Sequence, residues 1–250
     1  MSLAAYHQAA TAYCRVDKTM TESQSITGCN GNVGKRVVTL ALRRGYTVVG
    51  VDPKPQFGHN WVNSQFTFIH ADLADYDTVL KVLEQCNSVI HLAACSNPGD
   101  YKVNLHNSNV IVSWNVLRAG AELKITRIAQ ASSVNVLALV FSLNPQYEYF
   151  PLDELHPCLP DEPYGVSKGL RAAIVGRYSS TRIASIRLHR SSPNHAFLLA
   201  VTDESSRWSG HEAFFIGTAV LRQKYWERLI QLLRLWESGG AQRWVVRAMI

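Results

Sequence analysis

Two observations predict a doubly wound α/β domain built on a parallel sheet. Short β-branched runs alternate with helical patterns from residue 24 to about 189, and three glycines, Gly28, Gly31 and Gly34, punctuate the first strand-to-helix junction. Strands are expected at 24–27, 46–51 (YTVVGV), 66–70 (FTFIH), 87–91 (NSVIH), 125–131 and 182–188 (RIASIRL). Helical spacing fills 32–44, 75–85, 104–121 and 165–179. In the first of these, Val33, Val37, Leu40, Ala41 and Arg44 follow the i, i+4, i+7, i+8, i+11 rule. The first strand, ESQSIT, is unusually polar for the buried centre of such a sheet.

The pattern weakens after residue 190. RSSPNHAFLLAVTDESSRWSG reads as loop with one apolar run, HEAFFI as a short strand, and 219–236 as an amphipathic helix. Leu221, Tyr225, Leu229, Leu232, Leu233 and Trp236 line one face of that helix, opposite Arg222, Arg228 and Glu237. Such a helix packs on its own domain, joins two copies as a homodimer contact, or lies on a membrane surface. The chain is therefore expected to divide into a disordered leader (1–22), the doubly wound domain (23–189) and a small C-terminal appendage (190–250). The appendage holds a reduced substrate-binding region and the amphipathic helix.

Composition narrows the function classes. At 250 residues with 18% charged residues, the chain can bury a full core and is not of disordered type. No apolar run is long enough to span a bilayer, so no integral membrane segment is expected. The first twenty residues lack the continuous apolar centre of a secretory signal, although their low acidity leaves an organelle-targeting reading open. Five scattered cysteines without a CxxC pair suggest neither a disulfide framework nor a metal site, which fits a reducing, cytoplasmic compartment. The net charge of +6 lies mostly in residues 217–250, with six basic and two acidic residues, so no nucleic-acid groove is expected.

The glycine loop SITGCNGNVGKRV has a clear physical logic. A first glycine turns the chain tightly out of the strand, a second removes the Cβ that would hold a pyrophosphate away, and a third lets helix pack on strand. Gly28, Gly31 and Gly34 fill those places in order, and Asn30, Asn32 and Val33 share the cofactor loop, while Cys29 reads as a spacer. A helix starting near Asn32 would aim its free N–H groups and positive dipole end at the phosphates. Three glycines alone also describe a plain turn. Asp52 decides between them: it closes the second strand 18 residues after Gly34, where a carboxylate accepts hydrogen bonds from the ribose hydroxyls. It also repels a 2′-phosphate, favouring NAD, while Arg36 and Lys54 keep NADP open.

In order along the chain, TGCNGNVG (27–34), VVGVD (48–52), ADL (71–73), VIHLAA (89–94), NVIVSWNVLRAG (109–120), ASS (131–133), PLDE (151–154) and PYGVSK (163–168) resemble the extended short-chain dehydrogenase/reductase family, the NAD-dependent epimerase/dehydratase group. The resemblance implies a Rossmann fold with a serine, tyrosine and lysine site. It puts Asp72 and Leu73 beside the adenine, Ala93 and Ala94 where backbone passes the cofactor, and Ser133 on the reacting oxygen, with Ser132 a structural strand-end residue. It also matches Asn109 to a helix asparagine that supports a proton relay; a helix asparagine simply satisfied by its neighbours is the other reading.

The chemistry of that site also follows from the residues. Tyr164 and Lys168 lie four apart on a helix and face one way. A nearby ammonium favours the phenolate, so a tyrosine that ordinarily titrates near 10 exchanges protons closer to neutrality. Tyr164 is then the general acid/base on a hydroxyl or carbonyl, and Lys168 also holds the nicotinamide ribose.

Several features depart from the family pattern. After Ser133 comes VNVLA rather than the Tyr-Gly pair usual in sugar-nucleotide epimerases, which leaves a uronate-dehydrogenase-like or small-carbonyl reductase reading open. The region after RLH is short, and GTAVLRQKYWERL does not continue the family-like GHEAFFI. The expectation is an NAD-dependent oxidoreductase or epimerase/dehydratase acting on a small polar or sugar-like molecule. The alternatives are a dinucleotide-binding protein with little turnover and an interaction module using the 219–236 helix.

Overall fold

A computed structural model describes residues 22–55, 64–95, 104–137, 142, 144, 146–149, 152–175, 182–188, 194–203 and 210–216. The expected leader up to residue 21 and the amphipathic helix at 219–236 lie outside these residues. Among the described residues, seven parallel strands form one sheet: β1 (Ser23–Thr27), β2 (Thr47–Asp52), β3 (Phe66–His70), β4 (Ser88–His91), β5 (Arg127–Ser133), β6 (Arg182–Leu188) and β7 (His211–Ile216). Their spatial order is 3-2-1-4-5-6-7, so the chain reverses its winding between β1 and β4. The crevice above that switch point is where such sheets bind ligands.

Among the described residues, five helices cover the sheet: α1 (Asn32–Arg43), α2 (Tyr76–Leu83), α3 (Asn104–Glu122), α4 (Pro163–Val175) and α5 (Asn194–Thr202), with a short 3-10 turn at Val134–Leu137. On one face, Val37, Val38 and Ala41 of α1 and Phe197, Leu198 and Val201 of α5 pack against Ile26, Val48, Ile90 and Ala129. On the other, Val79 and Leu83 of α2 and Val116 and Leu117 of α3 pack against Val51, Val89 and Ile128. Each of these large aliphatic side chains, once fully buried, contributes about 1.5–3 kcal/mol.

The strands and helices up to 188 fall within two residues of the expected bounds, except that the end expected at 179 for the helix of 163–175 lies outside the described residues. The strand expected at HEAFFI is β7, but the stretch before it, read as loop with one apolar run, does not stay loop. Residues 194–202 form α5, whose Phe197, Leu198 and Val201 are spaced to bury one stripe against α1 and β5. The Ser-Ser-Pro before it and the Asp-Glu-Ser-Ser after it mask a pattern of only nine residues. β7 then pairs with β6 along its length, and the Ser185 hydroxyl joins the His211 ring at 2.8 Å. β7 therefore extends the same sheet, with α5 packed on one of its faces. Cys29 is likewise no spacer: its side chain is fully buried in the core beside α1, and burial pushes its thiol up to about 12.

The polar first strand does sit at the buried centre. β1 is hydrogen-bonded to β2 on one side and β4 on the other, and Gln24, Ser25 and Thr27 are fully buried. Among the described residues, both ends of the Gln24 amide, the Ser25 hydroxyl and the Ser88 hydroxyl find no hydrogen-bond partner. Gln24 lies in register with Ser88 on β4. Each such group costs about 1–3 kcal/mol. Replacing the orphaned amide by an apolar chain of similar length, Gln24→Met, is expected to raise unfolding free energy by about 1–2 kcal/mol in urea titration; an unchanged or lower midpoint would show that the amide is satisfied.

Candidate active site

The site begins at the end of β1. Gly28 turns the chain at φ +69°, and a Cβ there would meet the Ala93 backbone nitrogen at 2.8 Å. Its own N–H and that of Cys29 both reach the Val51 carbonyl, at 2.7 and 3.3 Å, which ties the loop to β2. Gly34 is packed more tightly still, since a Cβ would lie 2.1 Å from the Gly28 carbonyl oxygen. Gly31 differs: a Cβ would meet only that same oxygen, at 3.2 Å, and the residue is exposed with ordinary extended angles.

α1 starts without a side-chain cap at Gly31, unlike α2, where Asp75 accepts from the Thr78 N–H. Lys35 N–H is bonded to the Gly31 carbonyl, but among the described residues the N–H groups of Asn32, Val33 and Gly34 have no partner. Three unclaimed donors at the positive end of a twelve-residue helix, beside an absent Cβ, suit a phosphate.

Asp52 closes β2 beside this loop, with only 6% of its surface exposed. Its two oxygens accept from Asn30 N–H and Lys54 N–H, both at 3.0 Å, leaving further lone pairs on each. Asn30 reinforces the contact by donating its side-chain amide to the Lys54 and Pro55 carbonyls. The residues thus fit an adenosine ribose and a pyrophosphate. Asp72 is exposed and caps the Ala74 N–H, while Leu73 sends its side chain into the core and offers only backbone. Asn115, on α3, holds both the Leu73 and Ala74 carbonyls. Ala93 and Ala94 are half-buried at the end of β4.

The second half lies at the ends of β5 and α4. Glu162 caps α4: its carboxylate accepts from the Tyr164 N–H at 2.8 Å and from the Gly165 N–H, and burial holds its pKa above the ordinary glutamate value. Gly165 permits this because a Cβ there would stand 2.6 Å from the Asn135 carbonyl in the 3-10 turn. The first turn of α4 is therefore pressed against the turn that follows Ser133. Lys168, 3% exposed, donates to the Ala131 carbonyl at 3.0 Å, and its Nζ lies 5.5 Å from the centre of the Tyr164 ring.

Ser133 Oγ accepts from the Asn135 N–H at 3.1 Å, and among the described residues its proton is not committed. Ser132 and Ser133 are both buried at the strand end. Asn109 is 1% exposed and braces the site's floor: its amide pins the Cys95 N–H and carbonyl at 2.8 and 3.1 Å and donates to the Ser167 hydroxyl at 3.3 Å. Glu162, Asn115 and Asn135 escaped the sequence reading. Glu162 was findable, as an acidic residue one place before the Pro at the start of a helix; the two asparagines carried no signal of spacing.

Residues 25–191 match the NAD dependent epimerase/dehydratase family. The chain belongs to that family. It is 28% identical over 149 residues to the UDP-glucose 4-epimerase of Halalkalibacterium halodurans, covering 57% of this chain and 42% of that protein. It is also 28% identical over 128 residues to cinnamoyl-CoA reductase 1 of Petunia hybrida, covering 48% of this chain and 38% of that protein. The chain spans less than half the length of these curated relatives. The solved UDP-glucose 4-epimerase of Brucella ovis in complex with NAD shares the fold, with a TM-score of 0.66 at 18% identity, over 79% of this chain and 78% of that one. No helix among the described residues is long and apolar enough to cross a membrane.

The two glycines separate function from folding. Gly34→Ala is expected to lose about 1–3 kcal/mol of stability through overpacking. Gly31→Ala should stay within about 1 kcal/mol of the parent and instead weaken NADH binding roughly tenfold. Thermal unfolding with fluorescence titration of NADH checks both; equal loss of stability in the two variants would contradict the assignment.

Proposed function

We propose that this chain is an NAD-dependent oxidoreductase, epimerase or dehydratase acting at a hydroxyl- or carbonyl-bearing carbon of a small polar or sugar-like substrate. The observation that carries the reading is the pairing of Tyr164 with Lys168. One turn of α4 sets the ammonium beside the phenol ring, and that ammonium is held by the backbone of β5 two residues before Ser133. Membership of the NAD dependent epimerase/dehydratase family supports it.

In this reading Gly31 and the first turn of α1 hold the pyrophosphate, and Asp52 holds the adenosine ribose. The preference for NAD over NADP rests on the Asp52 carboxylate, which a 2′-phosphate would face directly. Bound NAD supplies a carbon that takes or gives hydride. The chain's own residues handle the proton. Tyr164 takes it from, or returns it to, the substrate oxygen, and the Lys168 charge stabilises the phenolate form. Ser133 donates its uncommitted proton to the same oxygen and fixes its position. Lys168 would also hold the nicotinamide ribose.

A panel of aldoses, uronic acids, nucleotide-sugars and small carbonyl compounds, followed by nicotinamide absorbance and by product analysis for epimers, tests the proposal. Turnover of at least one member is expected. Tyr164→Phe should lower kcat about 100-fold or more while NADH affinity stays within about threefold. Wild-type protein that binds NADH but turns over no member of the panel would favour a dinucleotide-binding role instead. Asp52→Ala should weaken NADH by roughly tenfold or more and NADPH by less; the reverse order would overturn the cofactor preference.

A further inference from the structure

His91 is fully buried at the end of β4 and has no part in the chemistry above. Counting protons around it gives its state. The Thr27 hydroxyl accepts from the Ala93 N–H at 3.2 Å and shares the Leu92 N–H, also at 3.2 Å, with the Thr27 carbonyl, so its single proton is left for His91 Nδ1 at 2.8 Å. Nδ1 is therefore an acceptor, and the ring's proton sits on Nε2. Nε2 then donates to Ser113 Oγ at 3.3 Å, and Ser113 passes its own proton to the Asn109 carbonyl at 2.6 Å.

Asn109 continues the series from its side chain. Its Oδ1 accepts an N–H and its Nδ2 donates to a carbonyl, which settles the orientation of the amide. Nδ2 also donates to Ser167 Oγ, and Ser167 donates to the Tyr164 carbonyl at 2.7 Å. Thr27, Ser113 and Ser167 are fully buried, as is His91. All the hydroxyls thus point the same way, from the residue before Gly28 to the first turn of α4.

We propose that His91 is a positioning residue, which locks the dinucleotide loop to the turn carrying Tyr164 through a one-way hydrogen-bond series in its neutral Nε2–H form. The proposal rests on Tyr164 being the acid/base. Apolar side chains would fill this space equally well, but they would accept many small displacements of α4 relative to β1. A buried series with fixed donor direction accepts one, because any slip leaves a polar group without its partner. The end of β1 sets the height of the dinucleotide loop and α4 sets the phenol, so their relative placement decides whether hydride and proton move at the same carbon and oxygen.

The test uses the full chain with NAD bound, labelled with nitrogen-15 at the histidine ring nitrogens, and His91→Gln to assign the signal. At neutral pH His91 should show a protonated Nε2 and an unprotonated Nδ1. A proton on Nδ1, in the other tautomer or as imidazolium, would overturn the proposal. Kinetics supply the second arm, with NAD and whichever panel member is turned over fastest. Ser113→Ala should lower kcat about tenfold with the KM for NAD within about twofold, and Ser113→Thr, which keeps the hydroxyl, should recover most of the loss. Wild-type kcat in Ser113→Ala, or equal loss in both variants, would also overturn it. If no panel member is turned over, the role given to Tyr164 fails, while the ring spectrum still decides the series.

Discussion

The close approach of two main-chain turns, the β1–α1 loop and the end of β4, constrains everything else at this site. Gly28 lies so near Ala93, and Gly34 so near the Gly28 carbonyl, that neither place has room for a Cβ. Thr27 closes the same contact with its hydroxyl on the Leu92 and Ala93 N–H groups. Because these turns interlock, α1 must start where it does, with its first N–H groups aimed at the crevice between β1 and β4. Asp52 then falls beside the loop, since Gly28 and Cys29 are bonded to the carbonyl of the residue before it.

The second half of the site depends on a similar economy of space. Gly165 lets α4 press against the turn after β5, Glu162 caps the helix at that point, and Lys168 reaches back to Ala131. Ser133, Tyr164 and Lys168 come from a strand end and a helix start some thirty residues apart in sequence, brought together by main-chain contacts. The contrast between helix starts is informative. α2 and α4 carry acidic caps, whereas α1, proposed to face the phosphates, carries none. Leaving donors unclaimed costs stability at a place where a bound anion would return it.

The sheet's centre shows how tertiary context overrules local preference. β1 carries Gln24 and Ser25 where parallel sheets normally hold aliphatic side chains, yet it is paired on both edges and covered on both faces. Backbone pairing along five residues and the burial of Ile26 outweigh the orphaned polar groups. Cys29 shows the reverse. Its neighbours in sequence are loop residues, but the tight turn at Gly28 swings its thiol into the core, where burial suppresses ionisation.

Much of this protein is written locally. Periodicity placed seven strands and four helices, with described bounds within two residues of those expected apart from the end of the fourth helix, because each is long enough for its repeat to show. The glycine spacing, Asp52 and the Tyr164–Lys168 interval were legible because helix and turn geometry fix what neighbours in sequence can reach. α5 was not legible: nine residues between serine-rich stretches hold too little of a 3.6-residue repeat, and its burial is decided by α1 and β5. Nor could the sequence reveal which polar side chains meet. Thr27, His91, Ser113, Asn109 and Ser167 come from two strands and two helices, and only the packing of those elements fixes which donor finds which acceptor. The sequence by itself determined the order of the elements and the residue types at the crevice; the tertiary structure alone decided their hydrogen-bond partners, because those partners lie at distances set by the whole sheet rather than by any single turn.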